Sequence, residues 1–531
     1  MKNYGNARKH IAAGVGLTLA VIFITACNVA EPSGETRGAS VPIVAEPTDS
    51  PPTAASPNQP VSSATEAALV AVSTVATPTQ LPATPPSDQN STAQPPAAPS
   101  PASSVQITET TVTLPTYPVK DFLMEQIDPV YNIPVYYFNR AAYEATAPQP
   151  TPTNYIAIVL ENPYLRLTFL PELGGRLYSA YLKTTGQEIF YHNPVVKPSR
   201  YGVLQPYEAN WWLATGGMEW AYPTQEHGYR FGVAWSYEVA QTASSATITL
   251  SDTAPDRVGL AVTVTLPVDQ VVFTVEPRLV NNTSQTVPIQ LWANAALTLG
   301  SGSMSLNTQF VMPGQTITIH SRGESGWSLP GERQQAPWPQ VGDTNLSHYN
   351  EWANYLGFFV PNQEASFLGA YNPDTNLGLV RLAPAGPGSH KLFAFGRDFP
   401  DRSYTDDNSQ YFEIWGGANA GFWPEDDLAV PAGDTLGWQE TWWPLAELGG
   451  LTWATNRIAI DLTPADQAQT LTALVSQSTT GTLEVATGDT ILLSEPFSAE
   501  PVIPKQWTIP ATTTPIKIQF KDEGGSTLLV Y

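Results

Sequence analysis

The sequence has a single cysteine, Cys27, so no internal disulfide is possible. Charged residues make up only 13% of the chain, and 24 Lys and Arg against 47 Asp and Glu give a formal net charge of -23. Since basic residues supply most of the affinity for nucleic acids, we expect no nucleic-acid partner. The six histidines are scattered, and we find no metal-ligand spacing, no Ser-His-Asp motif and no phosphate-binding glycine loop. We therefore expect no metal, no other cofactor, and neither serine-based nor zinc-based hydrolysis.

Aromatic residues are absent between residues 24 and 116, where Phe, Trp and Tyr do not occur. Fifteen prolines fall between residues 28 and 110, among Ser, Thr, Ala and Gln. Such a segment buries too little apolar surface to offset the entropy lost on ordering. We expect residues 27–116 to be a disordered tether, partly in the polyproline conformation.

The first 26 residues have the pattern of a signal peptide. Lys or Arg at positions 2, 8 and 9 precede an apolar run over 11–26, which is short for a membrane span. The run ends in the letters ITAC at Cys27, which resemble the bacterial lipobox. That resemblance implies that residues 1–26 are removed and that a lipid on Cys27 anchors the protein to a membrane, outside the cytoplasm. An ordinary buried thiol is the alternative.

Strand patterns dominate the rest of the chain, and stretches with helical periodicity are rare. Runs such as 165–170, 260–266 and 271–275 are rich in β-branched and aromatic residues and are bounded by Gly, Pro, Asn or Asp, as in antiparallel sheets. We expect an all-β chain with a large antiparallel sandwich over 117–455, in which 117–149 is a lead-in segment. Because tryptophan becomes rare after 455, we expect a small accessory β-sandwich at 456–531.

Several stretches of the main domain resemble one family. Residues 158–197 read IVLENPYLRLTFLPELGGRLYSAYLKTTGQEIFYHNPVVK, and contain an apolar-Pro-x-x-Gly-Gly-Arg turn and a KTTG hairpin. Further stretches are GGMEW at 216–220, KLFAFG at 391–396, YFEIWGG at 411–417 and LAVPAGDTLGWQETWWPLAELGG at 428–450. Together they resemble the galactose-mutarotase-like sandwich superfamily and, more closely, the DUF5107 family, over about 155–457. The resemblance implies a large sandwich whose concave sheet forms a groove for carbohydrate.

Glu413 is the first candidate for catalysis. It lies in QYFEIW at 410–415, ahead of a proline-containing loop and a Pro-Ala-Gly turn. This order resembles the C-terminal region of aldose 1-epimerases, and the resemblance implies that Glu413 is a general base at an anomeric hydroxyl or at a water. Strand alternation puts Tyr411, Glu413 and Trp415 on one face. The alternative is a solvent-facing glutamate on an outer strand.

Glu219 and His227 lie in TGGMEWAYPTQEHG at 215–228. If Glu219 converges with Glu413, the two form a carboxyl pair with one acid and one base. His227 is a second candidate for the acid or for a hydrogen-bond donor to a hydroxyl. The alternatives are a structural carboxylate for Glu219 and a plain loop histidine for His227.

One departure from the aldose 1-epimerases concerns their acid histidine, which lies on a central strand in the pattern Asn-His-x-Tyr/Phe. The corresponding stretch here, QLWANAA at 290–296, has no histidine, so mutarotation loses its usual acid at that position. Candidate substrate-binding residues, chosen as stacking aromatics or as ligands for hydroxyl and carboxylate groups, are Arg176, Trp211, Trp212, Trp220, Trp292, Asn294, Trp415 and Trp423. A core position is the alternative for each tryptophan.

These observations predict a surface lipoprotein that binds carbohydrate. If it is an enzyme, it acts at a glycosidic or anomeric centre, as a glycoside hydrolase or a sugar epimerase does, with Glu413 as base and Glu219 or His227 as acid. A non-catalytic carbohydrate-binding protein would need only the groove, its aromatics and its polar groups. A purely structural surface protein would have no groove.

Overall fold

The fold is taken from a computed structural model, which describes residues 104–199, 208, 211–397, 399, 404–465 and 468–531. The predicted signal peptide, the predicted lipidation site Cys27 and the predicted tether up to residue 103 lie outside these residues. Within the described part of the chain, no helix is both long and apolar enough to span a membrane.

Strands make up most of the described residues. The strands up to residue 281 are β1 (Gln106–Thr116), β2 (Leu123–Asp128), β3 (Ile133–Phe138), β4 (Thr151–Glu161), β5 (Leu165–Leu170), β6 (Arg176–Leu182), β7 (Gln187–Glu188), β8 (His192–Pro198), β9 (Leu213–Gly216), β10 (Met218–Ala221), β11 (Ser236–Gln241), β12 (Ser245–Asp252), β13 (Val258–Pro267) and β14 (Phe273–Asn281). Those up to residue 446 are β15 (Val287–Ile289), β16 (Trp292–Leu297), β17 (Gln309–Val311), β18 (Thr316–Arg322), β19 (Gln335–Pro337), β20 (Gln340–Val341), β21 (Thr344–Asn345), β22 (Leu356–Pro361), β23 (Phe367–Asn372), β24 (Leu377–Leu382), β25 (Ser389–Ala394), β26 (Phe412–Gly417), β27 (Leu428–Val430), β28 (Thr435–Gly437) and β29 (Glu440–Ala446). The last are β30 (Trp453–Ala454), β31 (Ile458–Pro464), β32 (Ala468–Val475), β33 (Thr479–Thr487), β34 (Thr490–Ala499), β35 (Lys505–Pro510), β36 (Lys517–Asp522) and β37 (Thr527–Val530). Helical segments are α1 (Arg140–Ala145) and single 3₁₀ turns at Lys120–Phe122, Tyr349–Glu351 and Pro424–Asp426.

The larger sheet has 14 strands in the order β19-β18-β22-β25-β26-β16-β10-β6-β5-β4-β1-β8-β9, with β7 added beside β6. Its last strand, β9, is separated from the central strand β10 by Gly217 alone, so this end of the sheet curls back toward its middle. Gly217 has a φ of +75°, and a Cβ there would lie 2.7 Å from the carbonyl oxygen of Leu177. Only glycine fits this left-handed, crowded position.

The facing sheet has nine strands in the order β11-β12-β13-β14-β29-β24-β23-β17, with β28 beside β14. Burial alternates along β13, where Val262 and Val264 are fully buried and Thr263 and Thr265 are half-buried. This period of two places one side of the strand in the apolar core that the two sheets share. The prediction of an all-β chain with a large antiparallel sandwich is therefore confirmed.

The folded region begins before residue 117, where the predicted tether ends. Residues 106–116 form β1, which pairs with the whole of β4, from Gln106 opposite Glu161 to Thr116 opposite Thr151. Disorder up to 116 is thus wrong for this stretch. The stretch lacks aromatics, but its Thr, Ile and Val residues favour a strand, and pairing with β4 satisfies its backbone.

The C-terminal residues form two four-stranded sheets, β30-β31-β32-β35 and β34-β33-β36-β37. They enclose an apolar core of their own, which includes Leu471, Val485 and Phe520. This is the expected small β-sandwich, and its first strand begins at Trp453, three residues before the predicted boundary. It contacts the large sandwich, where the amide of Val271 donates to the carbonyl of Ser476 at 3.0 Å.

Candidate functional site

Three polar side chains lie on one face of the central strands β10, β16 and β26. Glu219 pairs with Asn294, and Glu413 pairs with Ala296. Because positions 294 and 296 point the same way, the side chains of Glu219, Asn294 and Glu413 share a face. The intervening residues of β26 lie in the core between the sheets, so the polar face is the one turned away from that core.

A pocket opens on this face. It measures about 370 Å³ when the open space at its mouth is included. The residues that line it and enter the argument below are Arg176, Trp212, Thr215, Glu219, His227, Asn294 and Glu413. The structure therefore brings together the three predicted catalytic residues and three of the predicted binding residues.

Glu219 is held on both sides by basic side chains, Arg176 and His227. One carboxylate oxygen accepts from Arg176 Nη2 at 2.7 Å, and the other lies 2.5 Å from Nδ1 of His227. Burial alone would raise the pKa of Glu219, but the charges of His227 and Arg176 outweigh it and lower the pKa to about 2. Glu219 is therefore a fixed anion, which leaves it no proton to donate near neutral pH.

His227 comes from the loop after β10 and is oriented by Glu219. An ionised carboxylate only accepts hydrogen bonds, so Nδ1 carries a proton and Nε2 is left for a ligand. Trp212 stacks on the imidazole with ring centroids 4.3 Å apart. Burial lowers the pKa of His227, but the carboxylates of Glu219, Glu413 and Glu226 outweigh it and the net effect is a raised pKa. His227 is thus favoured as a cation.

Glu413 has one oxygen bound and one free. Trp415 Nε1 donates to Oε2 at 2.9 Å, and Oε1 has no hydrogen bond with any described residue. Burial is the main cause of the raised pKa of Glu413, and Glu219 adds to it, whereas Lys391, His227 and the Trp415 hydrogen bond lower it. A carboxyl whose pKa is raised toward neutrality suits proton transfer.

Three polar atoms at the pocket have no partner among the described residues: Arg176 Nε, Thr215 Oγ1 and Asn294 Oδ1. All three are buried, although buried polar atoms are nearly always hydrogen-bonded. The Asn294 amide is oriented by its nitrogen, which donates to Glu219 at 3.4 Å, so its oxygen must point elsewhere. Such atoms suit a ligand with hydroxyl groups.

Three ionisable residues beside the pocket were missing from the sequence prediction: Glu226, His320 and Lys391. Glu226 lies 3.5 Å from His320 Nε2. Burial would raise its pKa, but Lys391, His320 and His227 lower it. Burial lowers the pKa of His320 to about 4, so this histidine is neutral. Glu226 adjoins His227 in the chain, and Lys391 begins the KLFAFG stretch, so both had a signal, whereas His320 had none.

The predicted binding tryptophans divide into two groups. Trp212 lines the pocket. Trp415 and Trp423 do not line it: Trp415 is buried and donates to Glu413, and Trp423 is half-buried beside Phe359. By contrast, Trp220 lies in the core between the sheets, since it follows Glu219 and points to the opposite face.

Trp211 and Trp292 are also corrected to packing positions. Trp211 packs in a second apolar cluster, which also includes Trp212, and its Nε1 donates to the carbonyl of Tyr136. Trp292 is fully buried under Phe359 and Phe422. Within the described residues, no group of three or more His, Cys, Asp or Glu is placed to hold a metal ion.

Comparison with solved structures returns matches of low sequence identity. A TPR-domain containing protein from Parabacteroides distasonis is 22% identical with a TM-score of 0.50, and the match covers 65% of this chain and 56% of that one. A galactose mutarotase-like protein from Clostridium acetobutylicum is 10% identical with a TM-score of 0.37, and the match covers 55% of this chain and 96% of that one. A galactose mutarotase related enzyme from Lactobacillus acidophilus is 12% identical with a TM-score of 0.37, covering 56% and 100%. The first of these shows a shared fold only, and this chain spans 56% of its length.

Comparison with family models agrees with the resemblance read from the sequence. The model described as a domain of unknown function, DUF5107, matches residues 131–430. The matched region contains most strands of the large sandwich, without β1, β28 and β29, and every residue of the pocket named above. Since it spans more than half of the 531 residues, this protein belongs to the DUF5107 family.

Proposed function

We propose that the protein binds a sugar in this pocket and interconverts its anomers by proton transfer at the anomeric hydroxyl and the ring oxygen. Glu413 is the general base, His227 is the general acid, and Glu219 positions His227. The observation that carries the proposal is that a carboxyl with a raised pKa and a histidine favoured as a cation line the same pocket. Opposite roles for two neighbouring groups are what acid-base catalysis requires.

The reaction that fits these roles is interconversion of anomers. Glu413 Oε1 takes the proton of the anomeric hydroxyl while His227 Nε2 gives a proton to the ring oxygen. The bond between C1 and the ring oxygen then breaks, and a carbonyl forms at C1. After rotation about the bond next to C1, the steps run in reverse and close the ring to the other anomer, which restores both protonation states.

Hydrolysis by a pair of carboxyl groups has less support. Such a mechanism needs one carboxylic acid that is protonated at the working pH, and Arg176 and His227 keep Glu219 charged. The position of the acid histidine in aldose 1-epimerases corresponds to the region of Asn294, but His227 reaches the same pocket from the loop after β10. The missing histidine is therefore no obstacle to anomer interconversion.

The charges around the pocket favour a neutral sugar. Its cations and its carboxylates are equal in number when all are ionised: Arg176, His227 and Lys391 against Glu219, Glu226 and Glu413. An anionic sugar would meet no excess of positive charge. Stacking faces and unpartnered polar atoms suit a ring with several hydroxyl groups.

The test uses the purified protein with freshly dissolved single anomers of neutral sugars, followed by proton NMR. We expect faster exchange of the anomeric signals, lost in Glu413→Gln and in His227→Gln and retained in Glu364→Gln, a variant at an exposed turn. Saturation transfer without faster exchange would instead identify a non-catalytic carbohydrate-binding protein. The absence of both faster exchange and saturation transfer across a broad panel of sugars would contradict the proposal.

We also propose that the protein acts outside the cytoplasm as a lipoprotein anchored through Cys27. The lipobox-like ITAC sequence supports this. Mass spectrometry of the N-terminal peptide should then show an acylated Cys27, and Cys27→Ser should move the protein from the membrane fraction to the soluble fraction. Retention of Cys27→Ser in the membrane fraction would contradict the anchor.

A further inference from the structure

Lys391 is a buried lysine that the proposed reaction does not use. It lies on β25 and is 2% exposed. Its Nζ lies over aromatic rings, 4.1 Å from the centroid of Trp415 and 4.6 Å from that of Phe422. Contacts of this kind stabilise an ammonium group through the negative faces of the rings.

The ammonium has no conventional partner. Among the described residues, no acceptor lies within hydrogen-bonding distance of Nζ, and no carboxylate oxygen lies within ion-pair distance of it. Burial lowers the pKa of Lys391, and the charges of Glu226 and Glu413 oppose that effect. A charged group held in this way is costly to the fold, so its position calls for a reason other than stability.

The register places Lys391 next to the proposed base. Lys391 is directly opposite Trp415 on β26, and Phe393 is directly opposite Glu413. Lys391 and Glu413 are therefore diagonal neighbours on one face of the sheet, a separation of about 7–8 Å that a long side chain can bridge. Trp415 binds the Glu413 carboxylate and also lies beneath the ammonium.

We infer that Lys391 is a positioning residue for the proposed base: its buried ammonium keeps the Glu413 carboxylate charged before a ligand enters the pocket. This inference rests on the proposed function, in which Glu413 accepts a proton. Lys391 on β25 is thus a second cation beside the Glu413 carboxylate, in addition to His227 from the loop after β10.

The other groups facing Glu413 set the background for this effect. Glu219 on β10 opposes ionisation of Glu413, whereas His227 and the indole N–H of Trp415 favour it. Glu226, from the same loop as His227, shares the ammonium of Lys391 with Glu413. His320 on β18 is favoured in its neutral form, so it changes little between pH 5 and 9.

The test is the titration of Glu413 itself, which needs no substrate. Protein labelled with ¹³C at the glutamate side-chain carboxyl is titrated by NMR, and the Glu413 signal is assigned as the one lost in Glu413→Gln. We expect this signal to titrate at higher pH in Lys391→Met than in the wild type, and close to the wild-type position in Lys391→Arg. An unchanged Glu413 titration in Lys391→Met would overturn the inference.

Stability controls separate this role from a structural one. Methionine has a similar length and packs well on aromatic rings, and it removes a buried charge, so Lys391→Met should unfold at an equal or higher denaturant concentration. If Lys391→Met does not fold, Lys391→Gln repeats the titration in a polar, uncharged form, and an unchanged Glu413 titration in that variant would overturn the inference.

The pH dependence of the anomer-exchange rate gives a second readout. The acid limb of the rate profile for anomer exchange, set by Glu413, should move to higher pH in Lys391→Met, while the alkaline limb, set by His227, stays in place. Movement of both limbs together would overturn the inference. If the wild type exchanges no anomers, the proposed function fails, but the carboxyl titration still decides the role of Lys391.

Discussion

Two buried sets of Arg, Glu and His occur in the large sandwich, one at the pocket and one in the core. The pocket set is Arg176, Glu219 and His227, and the core set is Arg381, Glu440 and His390. The residue types are the same, but the order of contact differs. At the pocket the glutamate lies between the two cations, whereas in the core the arginine lies between the glutamate and the histidine.

This order sets the charge of each histidine. In the core, Arg381 Nη1 donates to Nδ1 of His390 at 2.7 Å, so that nitrogen must be unprotonated. Burial and the charge of Arg381 hold the pKa of His390 well below its usual range. At the pocket, Glu219 contacts the imidazole instead and the pKa of His227 is raised. The core histidine is therefore neutral, and the pocket histidine is favoured as a cation.

The two sets also differ in how completely they are hydrogen-bonded. Glu440 accepts from Arg381 and from the indole N–H groups of Trp438 and Trp442. His390 also contacts the carbonyl of Ala365 at 3.0 Å. The pocket set leaves Arg176 Nε unpartnered. A complete network serves the fold, and an incomplete one beside a pocket is suited to a ligand.

Glu440→Gln should have the largest effect on the fold. It leaves the fully buried guanidinium of Arg381 without its counter-charge, which costs about 3–5 kcal/mol when one partner of a buried pair is removed. Urea unfolding measures the change, with Glu364→Gln at an exposed turn as the control. A loss below about 1 kcal/mol would mean that the core set contributes little to stability.

Glu413→Gln should have the reverse profile, with a large effect on activity and a small one on the fold. Loss of a general base lowers rates by about 10²–10⁴-fold, so anomer exchange should fall by that order. The free energy of unfolding should change by less than about 1 kcal/mol. A loss of unfolding free energy large enough to account for the loss of activity would assign Glu413 to the fold and not to catalysis.

Glu219→Gln tests how the pocket set charges its histidine. Without the anion of Glu219, the pKa of His227 should fall, because the carboxylate is what outweighs burial. Since the acid form is lost as pH rises through this pKa, the alkaline limb of the rate profile should move to lower pH. Above the limb, the rate should drop by roughly tenfold for each pH unit of that movement. An unmoved limb would show that Glu219 does not set the charge of His227.

Thr215→Val should have the smallest effect, and of opposite sign. It removes a buried hydroxyl that has no partner among the described residues, while retaining the shape of the side chain. The free energy of unfolding should rise by up to about 1 kcal/mol, whereas affinity for a sugar that uses this hydroxyl should fall. A loss of stability would show that Thr215 has a structural role.

Sequence patterns predicted the sandwich well because alternation reports burial directly. The same alternation correctly put Glu413 and Trp415 on the face opposite Phe412 and Ile414. The family resemblance located the Gly-Gly segment before Glu219. These predictions depend on the periodicity of a single strand or on a short sequence motif, and both are present within one stretch of sequence.

The contacts between side chains on different strands depend on which strands pair, and strand pairing cannot be derived from a single sequence. Lys391 and Glu413 meet only because β25 pairs with β26. The choice between Glu219 and Trp220 depends on which face of the sheet is covered. The end of the tether was misjudged because β1 is stabilised by β4, more than thirty residues later.

Titration of the histidines by NMR is the most direct test of the proposed chemistry. The chain has six histidines, so the imidazole spectrum of histidine-labelled protein is simple, and His227→Gln and His390→Gln assign the two that matter. We expect His227 to titrate above the usual range of imidazole and His390 to remain neutral well below it. If His227 and His390 titrate together in the usual range, the pocket has no favoured acid and the proposed acid-base mechanism is contradicted.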